Sequence, residues 1–271
     1  MVSLHPVDSR AFLGLERADN SKFALHVVPR LTTSGGFLFG GAGLGAGISA
    51  LETVTGRRCT WATAQYLSYA RRDERVDVET FVVVEGSSIT QARATCRVGD
   101  REILTVNAAL GDRDFDSAGQ FVAMPDSIAP EAARPRTLRA AHANSIMEAL
   151  DMRYVKGRDL DELDGTSSDG RTIMWVRIKS LVDGIDAAAL GIMGDFVPMA
   201  VGQALGLRAG GNSLDNTIRF ATLVPTDWVL LDIQVESVQR GFGHGTIQMF
   251  AQNGALLATA SQSCIARKWK T

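Results

Sequence analysis

Cysteine and histidine are scarce in this sequence of 271 residues, which carries three cysteines and four histidines. The cysteines (Cys59, Cys96 and Cys264) are odd in number and widely spaced, and no Cys-x-x-Cys pair occurs. This pattern supports neither a disulfide framework nor a zinc site. The histidines are scattered as well, without the spacing of paired metal ligands. We therefore expect no metal site and a reducing compartment, the cytoplasm.

The chain has little excess charge of either sign, with 28 Lys and Arg against 30 Asp and Glu and a net charge of −2. A nucleic-acid-binding protein depends on a strong basic field, which this composition does not provide. We expect no nucleic-acid partner. The first residues also lack the basic start and apolar segment of a signal peptide, so we expect no export.

Long apolar runs are few, and one of them needs an explanation. Residues 35–51 contain no charge over 17 positions, with glycines spaced as in pairs of membrane helices. The run is at the short end for a span, and Glu52 follows it at once. A helix that is apolar on all sides is more often buried in a protein core. We predict a buried helix and no membrane span.

Two common catalytic motifs are missing. No Gly-x-Ser-x-Gly elbow occurs, which argues against a serine hydrolase. Gly41, Gly43 and Ala46 imitate a dinucleotide-binding fingerprint, but no acidic residue ends a strand about 20 residues later. The sequence therefore predicts no cofactor.

The sequence does contain an internal repeat. Gly86 and Gly99 recur 155 residues later as Gly241 and Gly254, and several positions between them match in polarity. A repeat of this kind indicates that one supersecondary unit is duplicated. Function is then expected where the two copies face each other or differ.

The two copies differ in their polar residues. The same shift aligns Gly40 with Asp195 and Asn107 with Gln262. Glycine cannot accept a proton, so only the second copy carries a candidate base at its helix start. We predict one productive site per chain, at the interface of the copies.

Each copy contains one apolar helix followed by strands of period two. The first helix ends near Gly56, and the second is predicted over about residues 195–207. Predicted strands cover residues 77–85, 90–98 and 102–110, then 172–178, 228–235, 246–251 and 256–266. An apolar helix needs a sheet to enclose it. The predicted fold is an α+β double hot-dog, with two antiparallel sheets joined edge to edge, each wrapped around one long apolar helix.

The domain division follows from composition. Residues 113–143 are rich in Asp, Pro, Arg and Ala with weak periodicity, which is typical of a linker. The predicted units are 1–112 and 144–271. Because edge strands tend to seek partners, we also expect a homo-oligomer.

Several segments resemble one enzyme family when taken in order. They are Phe39-Gly40-Gly41 opening a helix, Gly194-Asp195-Phe196, Ser213-Leu214-Asp215-Asn216-Thr217, Trp228 to Asp232, and Ala258 to Gln262. In this order and spacing the chain resembles the acyl-CoA thioesterase II family from about residue 20 to 269. The resemblance implies two fused hot-dog units that hydrolyse fatty acyl-CoA. It also implies that Asp195, Ser213 and Gln262 hold the attacking water.

The chemistry of these residues agrees with that role. A carboxylate such as Asp195 can take a proton from water, while Ser213 and Gln262 fix the position of the water. The absent side chains of Gly40 and Gly41 would let substrate approach the backbone N–H groups of a helix start.

Other interpretations remain open for the same residues. Asp195 could be only an N-cap, Ser213 a turn residue and Gln262 a satisfied polar residue on a strand. At the level of function, the alternatives are a non-catalytic acyl-CoA or acyl-chain binding protein, or a hydratase or acyltransferase of the same fold. The expected partner is an acyl-CoA substrate.

Overall fold

The computed structural model describes residues 8–181 and 184–269. The helices in these ranges are α1 (Ser9–Leu13), α2 (Gly40–Thr55), α3 (Ile146–Ala149), α4 (Ala187–Met193) and α5 (Val197–Leu205). The strands of the first half are β1 (Leu15–Arg17), β2 (Lys22–His26), β3 (Cys59–Tyr66), β4 (Arg75–Glu85), β5 (Ile89–Val98) and β6 (Arg101–Gly111). Those of the second half are β7 (Arg134–Pro135), β8 (Leu150–Lys156), β9 (Arg171–Ile178), β10 (Ala209–Phe220), β11 (Val229–Gln239), β12 (Phe242–Ala251) and β13 (Leu256–Lys268).

All thirteen strands form one antiparallel sheet, in the order β1-β2-β4-β5-β6-β3-β10-β13-β12-β11-β9-β8-β7. The two halves meet where β3 pairs with β10, so the sheets are joined edge to edge as predicted. At this junction the hydroxyls of Thr63 and Thr217 lie 2.7 Å apart and share a hydrogen bond. The double hot-dog fold expected from the sequence is confirmed.

Helix α2 is the core of the first half. Every residue from Gly41 to Leu51 is buried, which agrees with the predicted core helix. Its glycines allow close packing: a Cβ on Gly45 would lie 2.7 Å from the carbonyl oxygen of Ala188, on α4. The helix ends at Gly56, which adopts a positive φ of 65°.

The second half has two short helices where one long helix was expected. Helix α5 begins at Val197, two residues later than predicted, and α4 precedes it. Pro198 lies in the first turn of α5, where its missing N–H cannot bond to the carbonyl four residues earlier. Continuing α4 into α5 would require that bond. The proline therefore interrupts the helix at Gly194-Asp195-Phe196.

The stretch Ala187–Leu205 has the length and apolar composition of a membrane span, with a mean hydropathy of 1.4 over its most apolar part. In the fold, 83% of that part is buried inside the protein. Core helices of proteins without a membrane span can have the same length and apolar composition.

The turn glycines confirm the repeat. Gly99 and Gly254 both adopt positive φ in the hairpin turns β5-β6 and β12-β13. The predicted strands are present within a few residues. Strand β10 was not predicted, because its Gly, Asn and Asp residues favour turns over strands. It forms a strand because β3 and β13 pair with it on both sides.

One edge of the first half is apolar and exposed. Strand β2 pairs with β4 only over Arg75–Glu79, and the exposed residues Phe81, Val82, Val83 and Val84 follow on β4. Within the described ranges no strand covers this side of them. The homo-oligomer and the domain bounds expected from the sequence both stay predictions.

The helix crossing yields a stability prediction. Gly45→Ala should lower the free energy of unfolding by about 1–3 kcal/mol, because its methyl group meets a fixed backbone oxygen on α4. Gly43→Ala is the matched control, since its methyl group meets only the end of the Leu104 side chain, which can rotate away. Urea unfolding of both variants measures the difference. Equal losses would show that the crossing does not depend on Gly45.

Candidate functional site

A cavity of about 820 Å³ lies at the junction of the two halves. Its walls are mostly apolar, and both halves contribute, including Phe37, Leu38, Phe39, Leu104, Phe196 and Met199. Asp195 is the one acidic residue among the described residues that line it. Ser213 and Gly40 also lie at its surface.

Asp195 lies in the break between α4 and α5 and is only 5% exposed. It does not cap α5, whose N-cap is Phe196. Instead its Oδ2 accepts a hydrogen bond of 2.7 Å from the N–H of Gly41, in the first turn of α2. The N-cap interpretation of Asp195 for its own helix is therefore wrong. The carboxylate binds the N-terminus of the helix of the other half, where the helix dipole favours a negative charge.

Ser213 and Gln262 both reach Asp195. The Ser213 hydroxyl donates to Oδ1 of Asp195 at 2.9 Å, and Nε2 of Gln262 donates to the same oxygen. Gln262 Nε2 also donates to the Ser213 hydroxyl at 2.9 Å. The three residues named from the sequence thus form one hydrogen-bonded cluster.

A β-bulge in β10 brings Ser213 to this cluster. The register of β10 against β13 shifts between Ser213 and Asp215. Residues three apart on a regular strand point to opposite faces, yet Ser213 and Asn216 both contact the break, at Asp195 and at the Gly194 carbonyl. The extra residue of the bulge reverses the alternation and turns Ser213 inward.

Burial raises the pKa of Asp195 from its ordinary value to about 6. The hydrogen bonds from Gln262, Ser213 and Gly41 act in the opposite direction, because they stabilise the ionised carboxylate. A carboxylate with such a pKa is ionised at neutral pH and still basic enough to take up a proton.

The two glycines occupy different positions. Gly40 lies at the cavity surface, where a Cβ would stand 2.7 Å from Oδ2 of Asp195. Gly41 is buried against the end of α4 and does not line the cavity. Its N–H is bonded to Asp195. The expected contact of Gly41 with substrate is therefore replaced by a contact with the candidate base.

The repeat counterpart of Gln262 has no place in the site. Asn107 is exposed on β6 and pairs across the strand with Thr63 and Arg93. Neither Asn107 nor Gln262 lines the cavity, but Gln262 is 3% exposed on β13 and its amide reaches Asp195 and Ser213. The difference between the copies thus extends from residue type to position.

Sequence reasoning missed Tyr66, whose ring lines the cavity beside Gly40. A signal was available, because Ala62, Ala64 and Tyr66 alternate on β3 and so share its inner face. Two cationic residues of the cavity, Arg136 and Arg267, were also missed. Nothing in their sequence context distinguishes them from surface arginines.

No group of three His, Cys, Asp or Glu side chains able to hold a metal ion occurs within residues 8–181 and 184–269. The chemistry available at Asp195 in these ranges is therefore that of a carboxylate, a hydroxyl, an amide and backbone N–H groups.

Solved structures share this fold along nearly their whole length. A protein of Novosphingobium aromaticivorans, provisionally described as a thioesterase, is 31% identical with a TM-score of 0.83, over 93% of this chain and 97% of that one. An Alicyclobacillus acidocaldarius protein described as having a hot-dog fold is 19% identical, with a TM-score of 0.83, over 97% and 98%. The acyl-CoA thioesterase II TesB2 of Mycobacterium marinum is 20% identical, with a TM-score of 0.75, over 97% and 99%. The molecule is thus a double hot-dog protein.

The family follows from the sequence comparison. Residues 125–266 match the model of the acyl-CoA thioesterase C-terminal domain. With this match and the Novosphingobium relative, the chain belongs to the acyl-CoA thioesterase family, and the predicted class of enzyme, a thioester hydrolase, is confirmed. A direct search of proteins with curated functions finds no match.

The hydrogen bonds of Asp195 yield a titration prediction. Ser213→Ala and Gln262→Ala should each raise the pKa of Asp195 above about 6, because each removes a donor that stabilises the ionised form. Infrared difference spectra of the carboxyl band, with Asp195→Asn as the blank, measure the change. A fall in the pKa in either variant would contradict the arrangement described here.

Proposed function

We propose that the protein hydrolyses fatty acyl-CoA to free fatty acid and CoA, by direct attack of a water molecule that Asp195 activates. The observation that supports this most strongly is the cluster itself. One buried carboxylate with a raised pKa lies at the wall of an apolar cavity, held by Ser213, Gln262 and Gly41. Neither acyl binding nor folding requires a buried charge at this place, whereas a general base does.

The reaction needs few steps. Asp195 takes a proton from water as the water oxygen bonds to the thioester carbonyl carbon. The electron pair of the C=O bond moves to the carbonyl oxygen and forms a tetrahedral intermediate. When the C=O bond re-forms, the C–S bond breaks and CoA leaves with its sulfur. The proton on Asp195 then returns to the thiolate or to solvent.

The same cluster offers partners to the water. Gln262 Oε1 is buried and accepts no hydrogen bond from the described residues. Together with Oδ2 of Asp195 and the Ser213 hydroxyl, it provides the several polar partners that an ordered water needs. Ser213 and Gln262 would then act by orientation, while Asp195 alone accepts the proton.

The cavity fits both parts of an acyl-CoA. Its aromatic and aliphatic walls suit an acyl chain, and the guanidinium groups of Arg136 and Arg267 suit the phosphates of CoA. His142 also lines the cavity, and burial followed by the nearby Arg136 and Arg139 lowers its pKa. It therefore adds no positive charge at neutral pH.

The proposal is tested by release of CoA thiol from a series of acyl-CoA esters. We expect turnover by the wild type and a loss of about 10²- to 10⁴-fold in kcat for Asp195→Asn, with little change in KM, as for loss of a positioned general base. Ser213→Ala and Gln262→Ala should cost less, about 10- to 10³-fold.

Asn107→Ala is the matched control, because Asn107 is the repeat counterpart of Gln262 but is exposed on β6, paired with Thr63 and Arg93 instead of with Asp195. Its kcat should stay within about threefold of the wild type. Tight binding of acyl-CoA without turnover by the wild type would favour the non-catalytic binding protein instead. Full activity of a correctly folded Asp195→Asn variant would remove Asp195 from the mechanism.

The raised pKa predicts the pH dependence. Because the base must be ionised, kcat/KM should fall about tenfold per pH unit below an apparent pKa of about 6. The residual activity of Asp195→Asn should lack this acid limb. An acid limb of the wild type with an apparent pKa near the ordinary value for aspartate would be inconsistent with a desolvated base. Initial rates between pH 4.5 and 8 provide the measurement.

A further inference from the structure

The Tyr66 hydroxyl is a buried donor without a partner. Its oxygen has no exposed surface and forms no hydrogen bond with any described residue. The ring of Tyr66, at the end of β3, forms part of the cavity wall. A buried hydroxyl that donates to nothing destabilises the fold, and phenylalanine would fill the same space without that cost. The hydroxyl is therefore explained best by a group that binds there.

Three of the seven buried side-chain atoms without a hydrogen-bond partner in the described residues belong to residues near Asp195. They are the Tyr66 hydroxyl, Oδ1 of Asn216 and Oε1 of Gln262. The two amide oxygens can only accept hydrogen bonds, whereas the phenol can donate one. Tyr66 is thus the donor among them.

Gly40 brings this phenol and the carboxylate close together, because any side chain at position 40 would collide with both. A Cβ at Gly40 would lie 2.7 Å from Oδ2 of Asp195 and 3.0 Å from Cζ of Tyr66, the carbon that bears the hydroxyl. The N–H of Gly40 also has no acceptor among the described residues, since the neighbouring N–H of Gly41 is the one bonded to Asp195. The Tyr66 hydroxyl and the Gly40 N–H are therefore two free donors near Oδ2 of Asp195.

The phenol keeps its proton at neutral pH. Burial, followed by the negative charges of Asp195 and Asp215, holds the pKa of Tyr66 well above its usual range. A neutral phenol next to a base is suited to donate a hydrogen bond and unsuited to act as a base itself.

We propose that Tyr66 is a further catalytic residue, whose hydroxyl, together with the Gly40 N–H, donates to the carbonyl oxygen of the thioester. The inference rests on the proposed function. As water attacks the carbonyl carbon and Asp195 takes its proton, the C=O electron pair moves to the carbonyl oxygen. The two donors stabilise this negative oxygen without transferring a proton to it. When the C=O bond re-forms, the sulfur of CoA leaves and both hydrogen bonds weaken.

The test is Tyr66→Phe, which keeps the ring and removes only the hydroxyl. We expect kcat to fall about 10- to 10³-fold with KM within about threefold, as for loss of one oxyanion donor. The urea midpoint should stay equal or rise, because an unpartnered buried hydroxyl is removed. A kcat within threefold of the wild type would overturn the proposal.

Tyr154→Phe is the matched control. Tyr154 is a buried tyrosine on β8 that does not line the cavity, and its hydroxyl interacts with Arg136. Because Arg136 is proposed to bind the phosphates of CoA, loss of the Tyr154 hydroxyl should change KM at most and leave kcat within about threefold. Equal losses of kcat in Tyr66→Phe and Tyr154→Phe would show that removal of any buried tyrosine hydroxyl has this effect, and would overturn the assignment.

Two non-hydrolysable analogues separate a contact with the carbonyl from a general effect on the pocket. They are an S-(2-oxoalkyl)-CoA, which keeps a carbonyl, and the S-alkyl-CoA of equal chain length, which has none. By calorimetry, Tyr66→Phe should bind the ketone about tenfold more weakly and the thioether unchanged. If Tyr66→Phe weakened the binding of both analogues equally, Tyr66 would act on the pocket as a whole. If it shifted the acid limb of the pH profile and left binding of the ketone unchanged, Tyr66 would act on Asp195.

The outcomes for the two proposals are distinct. A wild type that binds these analogues but releases no CoA from acyl-CoA esters would refute the proposed function, whatever the variant does. A wild type that turns over acyl-CoA as fast as its Tyr66→Phe variant would refute only the role of Tyr66.

Discussion

The hydrogen bond from the Gly41 N–H to the Asp195 carboxylate is the interaction on which the site depends. It joins residues 154 positions apart, one in each half of the chain. A carboxylate that is 5% exposed needs compensation for its lost hydration. The first turn of α2 supplies part of it, because its N–H groups have no partners inside the helix. The charge of one half is thus stabilised by the backbone of the other, and neither half contains a complete site.

The packing of the helices follows from the same requirement. For the N-terminus of α2 to reach Asp195, α2 and α4 must cross closely, which the glycines of α2 permit. The break at Gly194-Asp195-Phe196 then directs the buried carboxylate toward the first turn of α2. Phe39 and Phe196, the N-cap residues of α2 and α5, contact each other there, with ring centroids 5.9 Å apart. Equivalent helix starts of the two copies therefore meet at the junction, and their difference in residue type creates the chemistry.

Duplication has produced a symmetric scaffold with an asymmetric site. The strand order runs outward from β3 and β10 in the same way in both halves. Yet only the second half has a carboxylate at its helix start and a bulge that turns Ser213 inward. The first half supplies the close approach at Gly40, the Tyr66 ring and the donor for Asp195. The second half alone would hold the base with Ser213 and Gln262 but would lack the Gly41 donor, so both halves are needed for the complete cluster.

The sequence by itself determined the elements whose signals are local. Periodicity predicted the buried helix α2 and most strands. Gly99 and Gly254 marked the hairpin turns, and both adopt positive φ in the structure. The repeat predicted two units joined at their edges. Resemblance to the family singled out Asp195, Ser213 and Gln262, which the fold places in one cluster. These features depend on residues near each other in the chain or on patterns that a repeat makes visible.

Tertiary structure decided the rest, because it depends on contacts between distant residues. Strand β10 exists only because β3 and β13 pair with it, and its bulge alone decides which way Ser213 points. The acceptor for the Gly41 N–H is 154 residues away, so no local signal could show that this glycine serves the base instead of the substrate. The same holds for Tyr66, whose strand pattern places it on the inner face of β3. Only the packing of Gly40 and Asp195 around it shows that its hydroxyl is buried beside the carboxylate without a partner.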